Sequence, residues 1–159
     1  MSHFRSDIRQ RCVDIVALYP QPRSAMLPLL HLAQEQDGYV SDEGIAEVAE
    51  LTNTTPADVR GTASFYDMFH LDPVGRHLVE VCTNLSCALS GAQRVVEAFE
   101  QELGVEAGGT TVDGEVTLGL VECLGGCGSP TVVAVDHRYR HDVRPDGVAE
   151  IVRELLDRT

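Results

Sequence analysis

Four cysteines stand in two close pairs. Cys82 and Cys87 lie in C-T-N-L-S-C, Cys123 and Cys127 in C-L-G-G-C, with residues 88–122 between the pairs. Two loops that each present two thiolates can close four sulfur ligands round one inorganic centre. Structural zinc takes four thiolates, but usually from hooks in small modules whose folding the metal dominates. These loops hang on a segment with enough apolar sequence to build its own core. A redox disulfide favours a lone C-x-x-C at a helix start, a spacing that neither pair has. A [2Fe–2S] cluster needs two protein sulfurs per iron beside two bridging sulfides, and one pair per loop meets that need. The spacing favours [2Fe–2S], with a zinc ion held by the same four cysteines as the standing alternative.

Such a cluster is an anion, of formal charge about −2 oxidised and about −3 reduced, so its surroundings must offer N–H donors. Gly125, Gly126 and Gly128 allow backbone amides to approach the sulfurs. A helix beginning near Ser90, with Ser90 and Gln93 as its capping box, points its positive end back toward Cys87.

The elements that must position these loops follow from the hydrophobic pattern. His77 to Cys82 alternates like a strand and ends at the first cysteine. Ala92, Val95, Val96, Phe99 and Leu103 share one face of the helix after Cys87, and Gly104 ends it. A turn at Asp113-Gly114 leads to a second strand, Val116 to Val121, just before Cys123. Thr131 to Val135 and Tyr139 to Val143 read as two more strands, and a last helix from about Pro145 to Leu156 buries Val148, Ile151, Val152 and Leu155. The order β-α-β-β-β-α describes a compact α/β sandwich over residues 75–159. Both cysteine pairs fall in loops after strand ends, where open α/β sheets place their ligand sites.

Residues 1–74 read as a separate helical subdomain. Phe4, Ile8, Cys12, Ile15, Val16 and Tyr19 recur at helical spacing, and Pro20 and Pro22 end that segment. Cys12 on this stripe is read as a buried core thiol. A second helix runs from about Ser24 to Asp37, with Pro28 near its first turn and Gly38 at its end. His31 within it reads as a packing or surface residue. Ser41 caps a third helix, with Ile45, Val48 and Ala49 inward, and Thr55-Pro56-Ala57-Asp58 opens a fourth. That helix carries Val59, Ala63, Tyr66 and Phe69 inward. Periodicity assigns its aromatics to the core, while Phe65 and Tyr66 are also the candidates for a partner-docking surface.

The 159 residues are 43% hydrophobic and carry a net charge of −13. The charge is evenly spread: five Arg against 11 acidic residues (−6) over 1–75, and seven against 14 (−7) over 76–159. Such a surface repels phosphate backbones and anionic lipid, which argues against nucleic acid and membrane as direct partners. No apolar run approaches a membrane span, and M-S-H-F-R-S-D lacks a signal peptide's apolar core. A cytoplasmic location is the expectation, and in that reducing compartment clustered cysteines bind metal more often than they pair.

C-T-N-L-S-C-x-L-x-G-A, the 35-residue gap over 88–122, and V-E-C-L-G-G-C resemble the thioredoxin-like [2Fe–2S] ferredoxins. More narrowly they resemble the peripheral NADH-dehydrogenase subunit type of respiratory complex I. M-L-P-L-L, D-G-Y-V, G-T-A-S-F-Y and T-T-V-D-G-E-V-T-L extend the likeness over nearly the whole chain. The resemblance implies that Cys82 and Cys87 ligate one iron, and Cys123 and Cys127 the other. It implies a helical bundle followed by a thioredoxin-like domain with a four-stranded sheet. The implied partner is a flavoprotein subunit carrying FMN, a [4Fe–4S] cluster and the NAD(H) site, in a complex peripheral on the inner face of the cell membrane. Hydride chemistry then belongs to that partner, and this chain passes single electrons. The same module recurs in NAD-linked hydrogenases and NAD-dependent formate dehydrogenases. A zinc-stabilised adaptor and a free-standing carrier are the readings from other classes. The family usually carries Ala-Pro at the third and fourth positions after its last cysteine, where Pro130 and Thr131 stand here. A cis bond before a non-proline residue is costly, so the loop beside Cys127 is expected to take another path.

Overall fold

The computed structural model describes residues 2–157. The chain divides into two units, one ending at Pro73 and the other beginning at Val74. Among the described residues no helix is long and apolar enough to cross a membrane.

The first unit contains α1 (Ser6–Val16), a 3-10 turn (Pro22–Ala25), α2 (Met26–Asp37), α3 (Asp42–Thr52) and α4 (Pro56–Phe65). Local chemistry explains most of the ends. Gly38 closes α2 in the left-handed region at φ 81°. Ser41 Oγ accepts the Gly44 N–H at 3.1 Å to open α3. Thr55 and Asp58 exchange a full capping box ahead of Pro56. The core packs Phe4, Ile8 and Cys12 against Leu29, Leu30, Val48, Val59 and Phe69. Burial, with the Glu47 carboxylate nearby, pushes the Cys12 thiol up to about 11.

Two expectations need correcting here. Tyr19 lies beyond α1 and is 39% exposed rather than in the core, because it precedes Pro20 and cannot continue the helix. At the end of α4 the aromatics part company. Phe69 joins the core, Tyr66 is half-buried against it, and Phe65 is 78% exposed.

Glu47, which the sequence does not single out, ties down the start of the chain. Its buried carboxylate accepts the His3 N–H at 2.6 Å and the Phe4 N–H at 2.9 Å, and pairs with Arg9. Burial alone would raise its pKa, but bonds from Ser2, Phe4, Arg9 and His3 outweigh that and hold it below the usual carboxylate value.

The second unit contains β1 (His77–Cys82), α5 (Leu85–Leu89), α6 (Ala92–Leu103), β2 (Val116–Val121), β3 (Val133–Val135), β4 (Arg138–Arg140), a 3-10 turn (Pro145–Gly147) and α7 (Val148–Leu156). The sheet order is β2-β1-β3-β4; β1 runs parallel to β2 and antiparallel to β3, and β3 antiparallel to β4. Alternate residues Val79 and Val81, Val116 and Leu118, and Val133 and Val135 point to one face. There they meet Val95, Val96 and Phe99 of α6 and Val148, Val152 and Leu155 of α7.

Three boundaries differ from expectation. The capping box at Ser90 and Gln93 does not form, and the left-handed Gly91 stands at the N-cap of α6. Ser90 instead closes α5, its N–H bonded to the Ser86 and Cys87 carbonyls at 3.1 Å each. The third strand is assigned from Val133: the Cys82 N–H still reaches the Val132 carbonyl at 3.0 Å, in register with the β1–β3 pairing, but the Thr131 carbonyl turns away to the Val143 N–H at 3.0 Å. The fourth strand is Arg138–Arg140 rather than Tyr139 to Val143, since the β3–β4 turn is already complete at Asp136 and His137, both at positive φ.

Candidate metal centre

All five cysteines are free thiols. Cys82 is the last residue of β1, and Cys87 sits in α5, a helix too short to show as periodicity. Asn84 opens α5, its Oδ1 accepting the Leu85 N–H at 2.7 Å. Both of these thiols are buried, packed with Ala92, Val132, Val121 and Leu124. Cys123 and Cys127 follow β2 and are exposed.

The second loop lies directly on the first. The Cys82 thiol approaches the Glu122 carbonyl at 3.9 Å, and the Leu124 N–H donates to the Cys82 sulfur. Ser86 Oγ donates to the Cys127 carbonyl at 3.1 Å. Gly126 is pressed against Val132: an added Cβ would stand 2.7 Å from Val132 Cγ2. Gly125, at φ 74°, turns its N–H onto the Cys123 sulfur at 3.3 Å. A side chain at Gly128 would meet open space. The Pro130–Thr131 bond is cis, so the loop after Cys127 does not take the trans path that Thr131 leads one to expect.

These donors set the charge preference of the buried pair. Burial raises the Cys82 thiol, but the N–H groups of Asn84 and Leu124 and the Cys87 thiol more than offset it, leaving Cys82 below its ordinary value. Cys87 is raised: burial and the neighbouring Cys82 sulfur prevail over the Val132 N–H. Of the two thiols, Cys82 is thus the one whose surroundings favour negative charge. Among the described residues no three His, Cys, Asp or Glu side chains converge on a single point as they would for one metal ion.

The donor set fits a sulfur-ligated cluster. Cys82 at the end of β1 and Cys87 in α5 face a loop that carries Cys123 and Cys127 and is bonded to α5 through Ser86, with the Gly125 N–H aimed at the Cys123 sulfur.

Fold and site together define an α/β domain that gathers two cysteine loops at the ends of β1 and β2. Residues 12–156 match the thioredoxin-like [2Fe-2S] ferredoxin family, and the chain belongs to it. It is 39% identical over 138 residues to the E subunit of NADH-quinone oxidoreductase from Pseudomonas aeruginosa, covering 87% of this chain and 83% of that one. It is 39% identical over 146 residues to the protein of the same name from Mycobacterium tuberculosis strain H37Rv, covering 92% of this chain and 58% of that one. NADH-quinone oxidoreductase subunit 2 of Thermus thermophilus is 37% identical over 135 residues, 84% of this chain and 75% of that one. Among solved structures, NAD+-reducing [NiFe]-hydrogenase in the air-oxidized state superposes with a TM-score of 0.72 at 18% identity, over 84% of this chain and 23% of that one. That likeness is one of fold.

Proposed function

We propose that this chain holds one [2Fe–2S] cluster and is an electron-transfer subunit of NADH-quinone oxidoreductase, seated beside a flavoprotein subunit that carries FMN, a [4Fe–4S] cluster and the NAD(H) site. Cys82 and Cys87 hold one iron, and Cys123 and Cys127 the other. The observation that carries the reading is the seating of the second thiol loop on the first, with backbone N–H donors on the Cys82, Cys87 and Cys123 sulfurs. When bound, the cluster supplies one-electron exchange. The chain's own part is to hold the sulfurs, bury Cys82 and Cys87 from water, and present N–H groups that favour negative charge on sulfur.

Two considerations weigh against the alternatives. Identity of 39% over most of both chains favours NADH-quinone oxidoreductase over the hydrogenase, whose likeness stands at 18%. The main core of the second unit contains none of the four cysteines, so it does not depend on a metal as a zinc-built module does. Phe65 is proposed as the docking contact for the flavoprotein partner, with Tyr66 standing edge-on behind it at a ring separation of 5.2 Å.

The test is EPR of the dithionite-reduced, anaerobically purified chain, with iron and acid-labile sulfide assayed on the same sample. An S = 1/2 signal with two irons and two sulfides per chain supports the cluster. One zinc per chain with no labile sulfide would end the electron-transfer reading.

A further inference from the structure

Leu85 and Leu89 are 70% and 81% exposed. Scattered singly, exposed leucines are ordinary on a protein surface. These two stand four residues apart in α5 and so share one face of it. Cys87, two residues from each, turns the opposite way and is 2% exposed. The helix α5 alone therefore lies between a proposed iron ligand and an outward apolar face.

The adjoining surface has the same character. Ser86 Oγ donates to the Cys127 carbonyl at 3.1 Å, which holds the second thiol loop beside α5. On that loop Cys123, Gly125, Cys127 and Gly128 are exposed. No charged residue occurs from Thr83 to Gln93, nor from Cys123 to Val135. The chain as a whole carries 25 acidic and 12 basic side chains, so neutrality over two segments that meet in space sets this surface apart. Loss of charge around exposed apolar side chains is the composition of the centre of a protein interface, not of a solvated face. Nucleic acid or an anionic membrane would require cations here, and the two segments supply none. A second copy of the chain would bring one net charge of −13 against another, which opposes self-association.

We propose that the exposed face of α5, with the Cys123–Cys127 loop beside it, docks the flavoprotein subunit, with Leu85 and Leu89 as the apolar anchors. The inference rests on the electron-transfer reading and adds where that partner meets the second unit; Phe65 belongs to the first. The occupant follows from the asymmetry of the four thiols. Cys82 and Cys87 are buried, Cys123 and Cys127 exposed, so a one-electron partner comes nearest to the sulfurs on this side. Docking there buries both leucines and shuts water away from the exposed pair.

The experiment measures the Kd of the purified flavoprotein subunit for the iron-loaded full chain, comparing wild type with L85Q, L89Q, the double variant and V112Q. Iron, sulfide and the EPR signal are recorded on each sample. Val112 is the control: it is fully exposed and precedes β2 at the end of the sheet where His77 begins β1, away from Cys82. L85Q and L89Q are each expected to weaken binding about tenfold, and the double variant about 100-fold, with the cluster content unchanged. V112Q should bind as wild type does. A double variant that binds within about twofold of wild type overturns the inference, and so does equal weakening by V112Q. Loss of iron from both single variants overturns it too, because the leucines would then build the loop. Wild-type dimers that the double variant abolishes would assign the face to a second copy and overturn the choice of partner. A wild-type chain that loads iron and sulfide but does not bind the flavoprotein overturns the functional reading and this inference together, whereas failure among the variants alone leaves that reading standing.

Discussion

Replacing Gly126 by alanine measures how tightly the second thiol loop is seated. The added Cβ would stand 2.7 Å from Val132 Cγ2, and 3.1 and 3.2 Å from Cε1 and Nδ1 of His141. The two neighbours are not equivalent. His141 is exposed and its ring can swing aside. Val132 is 0% exposed, has little χ1 freedom, and is bonded through its backbone to Cys82. The loop itself must therefore move, and overpacking of this kind costs about 1–3 kcal/mol. Val132→Ala removes Cγ2, and with it the clash, at about 2 kcal/mol for two buried methyl groups and the space they leave. The double variant should accordingly be less damaged than the two losses summed, by about 1–2 kcal/mol. Native-state hydrogen exchange of the β1 amides in the iron-free chain reads the opening free energy of this unit. Iron bound per chain after reconstitution gives a second readout: it should fall in Gly126→Ala and recover in part in the double variant. Losses that add to within about 0.5 kcal/mol would show that the two positions do not touch and would refute the reasoning.

Stripping iron with a chelator should leave the β1 amides protected, because the core under the sheet contains none of the four cysteines; collapse of that protection would mean the metal builds the fold. Glu47 should supply an acid-sensitive contribution to the first unit. Its pKa is lowered on folding, so the stabilisation is fully present above the unfolded value of about 4.3 and fades as pH falls through the folded value. Urea midpoints of wild type should drop on that acid limb, and Glu47→Gln should flatten it; equal slopes in the two proteins would contradict the assignment. Phe65→Asp should change stability by less than about 0.5 kcal/mol and leave the cluster spectrum intact while releasing the flavoprotein partner in pull-down of the assembled complex. Unfolding of Phe65→Asp would place the ring in the core.

Elements were legible where a local signal and tertiary packing agree. Ser41, the Thr55–Asp58 box and Gly38 act within a few residues of themselves, and each does in the fold what its type favours. The alternation of His77 to Cys82 likewise survives as β1, with Val79 and Val81 facing the helices. Legibility failed where two local readings compete for one residue. Ser90 is a good opener for a helix, but its N–H already ends α5, a five-residue helix that periodicity cannot register. In T-V-V-A-V every residue is buried, so the pattern carries no mark of where the ladder begins. That mark comes from Thr131, whose carbonyl goes to the Val143 amide while the Val132 carbonyl still meets Cys82 in register.

The same division explains the site. Each cysteine pair is local, four or five residues apart, and its spacing is visible in the chain. The groups that act on the sulfurs are not all local. Leu124 serves Cys82 from the other loop, Val132 serves Cys87 from beyond both loops, and Ser86 reaches the Cys127 carbonyl. Only the fold brings these groups together. A centre's ligands decide which cluster is held, whereas hydrogen bonds to sulfur and burial decide its potential. Chains that share C-x4-C and C-x3-C need not share a potential, therefore.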